Sequence, residues 1–80
     1  MSTKSFTAKQ GQYLAFIYAY SKINRVAPAE ADMQRYFGVT APTVHSAVLR
    51  LEDAGLISRI PRQARTIRLC VAPVDLPVLE

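Results

Sequence analysis

What this chain has little of sets its limits first. It holds one cysteine in 80 residues, which excludes an internal disulfide framework and any multi-cysteine zinc site. It holds one histidine, which excludes the metal motifs that need two histidines on one helix face. No apolar run approaches the roughly 18 residues that a membrane span requires. The opening residues, Met1-Ser2-Thr3-Lys4-Ser5, have no apolar segment of the kind a signal peptide carries. There is no internal repeat and no low-complexity tract. These absences lead to the expectation of a soluble, cytoplasmic protein with no metal, no cofactor and no membrane partner. The length leaves room for one core, and a chain this short buries only roughly 60% of the surface that its unfolded form exposes.

What is present begins with composition and charge. Half of the residues are hydrophobic and 20% are charged, which is a globular balance and not a disordered one. The net charge is +4, from ten Lys plus Arg against six Asp plus Glu. Asp75 and Glu80 lie in the last stretch, so residues 1–70 carry ten basic residues against four acidic ones, a net +6. From Arg59 to Arg68 there are four arginines and no acid. A basic segment on a small domain points to a polyanion partner, while a merely solubilising surface explains it equally well on charge alone.

The pattern along the chain divides it into elements. Thr7-Ala8-Lys9-Gln10 has capping-box spacing, and Tyr13, Leu14, Ile17 and Tyr20 follow as a helical stripe flanked by Phe16 and Tyr18. The spacing predicts a helix over about 8–22, with Gly11 weakening its first turn slightly. Asn24 to Pro28 reads as a loop. A second, short helix is predicted over about 29–37, with Glu30 and Asp32 in its first turn, Met33 and Phe37 on its inner face and Gly38 ending it. Thr40 then caps a third helix, Pro42 sits in its first turn, and Val44, Ala47, Val48 and Leu51 repeat at helical intervals as far as Gly55. After Gly55 the period changes to alternation. Residues 56–60 and 66–71 read as two strands around the polar tip Arg62-Gln63-Ala64-Arg65, with Ile67, Leu69 and Val71 on one face. Residues 72–80 contain Pro73 and Pro77 and read as an extended C-terminal tail, which leaves residues 1–71 as the domain.

A short helix, a glycine turn and a longer helix form a helix-turn-helix. Val39 is placed to plug the angle between the two helices, and Val44 to pack the second onto the first. An ordinary pair of antiparallel helices needs the same glycine and apolar residues, but an Arg-rich hairpin directly afterwards completes a winged helix-turn-helix. The expected fold is therefore mainly α with a small β-hairpin: three helices plus a two-stranded wing.

Particular segments also resemble a known family. Phe6-Thr7-Ala8-Lys9-Gln10 and Leu14-Ala15-Phe16-Ile17 are similar to the opening helix of the LexA repressor DNA-binding domain. So are Thr43-Val44-His45-Ser46, Leu51-Glu52-Asp53-Ala54-Gly55-Leu56-Ile57 and the hairpin from Arg59 to Leu69. The resemblance covers residues 6–69. The turn Val39-Thr40-Ala41-Pro42-Thr43 departs from it, being shorter and closer to the MarR and GntR classes of winged helix. Ala29 stands where that family usually caps its second helix with Ser. LexA-type repressors continue into a Ser-Lys peptidase domain that these 80 residues do not contain, so self-cleavage and a DNA-damage response are not expected of this chain.

Geometry and resemblance agree on where duplex DNA would bind. The third helix is expected to enter the major groove by its N-terminal half. Its candidate contacts are Thr40, Pro42, Thr43, His45, Ser46, Leu49 and Arg50, with Asp53 marking where contact fades. Thr43 and Ser46 suit base edges or phosphate, and Arg50 suits guanine or phosphate. Leu49 suits a thymine methyl, a protein interface, or nothing more than a lone exposed leucine. Arg59, Arg62, Arg65 and Arg68 are the wing candidates for backbone or minor-groove contact, with Lys9 and Arg35 in support. About six phosphate contacts predict a log–log salt slope near −5. His45 beside Ser46 is not read as a hydrolase pair, because neighbours on a helix point about 100° apart. Cys70 reads as a small packing residue. The expected function is a repressor-like, DNA-binding transcriptional regulator that is nucleoid-associated when bound. The alternative, prompted by Leu49 and the apolar tail Val74-Asp75-Leu76-Pro77-Val78-Leu79, is a winged-helix protein-interaction module such as an adaptor or anti-repressor. A homodimer is expected to form on DNA or through the tail or first helix, since no heptad pattern supplies another route.

Overall fold

The computed structural model describes residues 5–80; Met1 to Lys4, the start of the domain expected over 1–71, lie outside the described residues. The order is α1 (Ala8–Asn24), α2 (Glu30–Phe37), α3 (Ala41–Asp53), β1 (Ile57–Ser58), β2 (Arg68–Leu69) and a single 3₁₀ turn (Pro73–Asp75). Three helices and a two-stranded antiparallel sheet make a winged helix-turn-helix. Among the described residues, no helix is long and apolar enough to cross a membrane.

The capping box at α1 forms as its spacing predicts. The Gln10 amide N–H donates to Thr7 Oγ1 at 3.1 Å, and the Thr7 N–H donates to Gln10 Oε1 at 2.9 Å. Two orphan donors of the first turn are thereby satisfied. The helix runs two residues beyond the predicted end and stops at Arg25, which is left-handed at φ 61°. Pro28 is fully buried and separates α1 from α2. Ala29 has no side chain with which to cap α2. The Asp32 carboxylate supplies the other half of the box, accepting the Ala29 N–H at 2.8 Å. Gly38 turns the chain at φ 66°, a left-handed conformation that a Cβ would strain, and Thr40 caps α3.

The core lies where the three helices and the sheet meet. Leu14, Met33, Val44, Val48, Leu51 and Leu56 have no exposed surface, and Tyr13, Ile17 and Ile57 have almost none. Aromatic rings fill the α1–α2 seam: Tyr13 lies 4.4 Å from Phe37, and Phe16 lies 4.7 Å from Tyr36, between ring centroids. Phe16, expected at the border of the stripe, is buried because Tyr36 and Phe37 close over it.

The wing differs from the hairpin expected over 56–60 and 66–71. Only Ile57↔Leu69 and Ser58↔Arg68 pair, with one further bond from Cys70 N–H to the Leu56 carbonyl. The ladder stops because Ile60 N–H goes to the Thr66 hydroxyl at 3.0 Å, and Pro61 has no N–H to donate. Arg62 and Arg65, both left-handed, then fold the tip back on itself. Cys70 corrects a second expectation, since its thiol is free and exposed where a packing role was expected. Beyond Ala72 the chain is seated on α1 and α2. The Gln12 side-chain amide donates to the Val78 carbonyl and accepts from Glu80 N–H, Tyr36 donates to the Glu80 carbonyl, and Leu76 and Leu79 pack against the core.

Candidate nucleic-acid interface

The outer face of α3 is built by the same periodicity that builds the core. Val44, Val48 and Leu51 point inward, so Pro42, Thr43, His45, Ser46, Leu49, Arg50 and Asp53 are all exposed. Leu49 is 42% exposed, a large apolar side chain open to solvent on that face. Thr40 is exposed as well, but its hydroxyl is partly committed. It accepts from the Thr43 N–H and lies 2.9 Å from the Thr43 hydroxyl.

Two neighbouring concavities organise this face. The first is a groove of about 410 Å³ between the start of α1 and α3, lined by Lys9, Gln10, Thr43, Ser46 and Arg50 among others. It joins a cation from each helix to two hydroxyls. The second is a shallower hollow along α3 lined by Ser46, Leu49, Arg50, Glu52 and Asp53, where the sign of the charge reverses. His45 faces the other way. Its Nδ1 lies 3.2 Å from both carboxylate oxygens of Glu30 at the start of α2.

The wing arginines separate into two kinds. Arg59 Nε donates to Glu52 Oε1 at 3.1 Å, and its side chain is only 16% exposed. Arg65 Nη1 donates to the Tyr20 hydroxyl at 3.0 Å and to the Ala27 carbonyl at 3.3 Å, and stands 3.3 Å from the Asp32 carboxylate. Its guanidinium also lies over the Tyr20 ring, 5.9 Å from the centroid. Arg35 pairs with the other oxygen of Asp32. Arg62, at the tip, and Arg68 are exposed and have no ion pair among the described residues. Arg68 lines a third groove with Arg25 and the end of α1, whereas Lys9 and Arg50 line the first.

Asp32 is the buried acid of the molecule, 9% exposed. Its carboxyl is held below the ordinary carboxylate range chiefly by the Ala29 N–H bond; burial opposes this, and Arg65 and Arg35 reinforce it. The Arg65 guanidinium is shifted up mainly by its hydrogen bond to Tyr20. The sequence places Asp32 at a helix start for its charge alone. Its partners lie 33 positions downstream in Arg65 and 12 upstream in Tyr20, and no local pattern announces such a meeting.

Comparison with known proteins fits this arrangement. The family model of the LexA DNA binding domain matches residues 3–66. The chain belongs to the LexA DNA-binding domain family. The match runs through the turn after α2, through α3 and through the wing tip. The chain is also 36% identical over 77 residues to a LexA repressor of Thermosipho africanus, covering 94% of this chain and 39% of that protein. It is 36% identical over 66 residues to a LexA repressor of Thermosipho melanesiensis, covering 82% of this chain and 33% of that protein. The matched region therefore spans between a third and two fifths of the length of these relatives. As a member of that family the chain is a DNA-binding domain.

Proposed function

We propose that this domain acts as a repressor-like reader of duplex DNA, with α3 in the major groove and the tip of the wing on the backbone or minor groove. The observation that carries the reading is the exposed face of α3 continued by the Lys9–Arg50 groove. There, hydroxyl donors and two cations stand together, backed by the inward-pointing Val44, Val48 and Leu51. Thr43 and Ser46 take base edges, and Arg50 takes guanine or phosphate. Pro42 and His45 border the contact, with Thr40 fixing the end of the helix. Leu49 meets a thymine methyl. Lys9, Arg50, Arg62 and Arg68 are the groups offered to phosphate, whereas Arg59 and Arg65 contribute through the internal pairs described above. One such helix reads a half-site, so two copies are expected to assemble on a palindrome. Repression follows by occupancy of the site.

The salt dependence of binding to a labelled duplex tests this. Three or four phosphate contacts predict a log–log slope of about −3 to −4, from roughly −0.9 per contact. A slope near −5 would mean that Arg59 and Arg65 leave their carboxylates for the DNA. Failure to bind duplex DNA at low salt sinks the reading and favours the protein-interaction alternative. Selection from a random duplex pool then shows whether the site is a half or a palindrome.

A further inference from the structure

We propose that Asp32, an acid, positions the wing for DNA binding by holding Arg65 and so fixing where Arg62 stands at the exposed wing tip. The inference rests on the DNA-binding reading above.

The wing cannot hold its own shape. Two paired residues on each strand form a ladder far too short to be stable alone. Its tip also contains two left-handed arginines, Arg62 at φ 66° and Arg65 at φ 63°, each in a conformation that crowds the Cβ of an L-residue. Something outside the hairpin must offset that strain, and the anchor is visible. The Arg65 guanidinium gathers the Tyr20 hydroxyl from α1, the Ala27 carbonyl from the connecting loop and the Asp32 carboxylate from α2. A space of only about 40 Å³ separates the tip from the start of α2, so the two surfaces are seated against each other. Asp32 is fixed in turn by the Ala29 N–H and by Arg35, which makes it a rigid post. Arg62 lies three residues before Arg65 on the same bent tip, and its place follows from that of Arg65.

The sign of one substitution separates this from simple charge effects. If Asp32 mattered only as a negative charge near DNA, removing it would tighten binding. If it is the post that holds the wing, removing it weakens binding. Asp32→Asn keeps an acceptor for the Ala29 N–H, and Arg65→Gln leaves Asp32 with Ala29 and Arg35, so both variants retain the fold, as far-UV circular dichroism checks. Binding to a labelled random-sequence duplex is measured at several salt concentrations, with amide hydrogen exchange of residues 60–66 measured without DNA. We expect each single variant to bind roughly tenfold more weakly at low salt and to lose about 0.9 of the slope, the effect of one phosphate contact. The double variant should be no worse than either single. Exchange across 60–66 should quicken in both. Asp32→Asn binding as tightly as the parent or tighter, with Arg65→Gln alone impaired, would overturn the proposal. If the parent fails to bind DNA, the functional reading falls by itself. In that case unchanged exchange in both variants still overturns the clasp, and quickened exchange still supports it.

Discussion

Asp32 shows how much one residue can carry in a small domain. It completes the cap of α2 that Ala29 cannot make, and it gathers two arginines from different parts of the chain. Because its carboxyl is held below the ordinary value of 3.8, the unfolded chain takes up the proton first as the solution is acidified. The stabilisation is therefore fully present above the ordinary carboxylate range and is lost as pH falls through the lower, folded value. Urea denaturation from pH 7 downward should show stability nearly level until about pH 5 and falling below it. Asp32→Asn should start less stable and fall less steeply. An unchanged acid limb in that variant would assign the effect to other carboxylates.

At the scale of elements, α2 and α3 and the last nine residues teach opposite lessons. The α2–turn–α3 unit is local: its caps, its glycine and its apolar intervals lie within one stretch of sequence, so it is legible in the order of residues alone. The segment after Ala72 is legible there only as an extended tail. Its seat on α1 and α2 depends on Gln12 and Tyr36, whose hydrogen-bond partners in the tail are 44 or more positions away, and on Gly11. By helix propensity Gly11 is a mild weakness. A Cβ there would meet Pro77 Cγ at 3.0 Å and the Phe6 ring at 3.1 Å, so the glycine lets the tail and the N-terminal aromatic close over α1. In an open helix, Gly→Ala gains about 1 kcal/mol. Here Gly11→Ala should gain nothing and should quicken amide exchange at residues 78–80. An increase in unfolding free energy of about 1 kcal/mol would mean that the tail yields freely.

At the scale of the whole molecule, net charge is a poor description of where the unpaired cations stand. Of the basic residues, Arg35 and Arg65 share Asp32 and Arg59 takes Glu52, while Lys9 and Arg50 lend a positive field to the groove beside α3. The core sets the other limit on conditions. Burial raises the Tyr13 hydroxyl above its ordinary value of 10.0, so the folded state resists ionising it. With the folded value raised, stability is present below pH 10.0 and is lost as pH rises from there through the folded value. Thermal unfolding should show an alkaline limb starting near pH 10.0 that Tyr13→Phe makes shallower. If the limb persists unaltered in that variant, the other tyrosines or lysines produce it.

By itself the sequence determined the helices, the turn, the outward face of α3 and the inward set that backs it, because each depends on intervals of three, four or two residues and on caps beside them. It also carried the family, since the motifs are contiguous. Only the tertiary structure decided which arginines are paired with carboxylates. An ion pair forms between groups brought together by folding, and the meetings of Arg65 with Asp32 and of Arg59 with Glu52 join the wing to two helices. A linear count of charge makes the four arginines of the wing equal. Folding divides them into two held in ion pairs and two with no ion pair among the described residues.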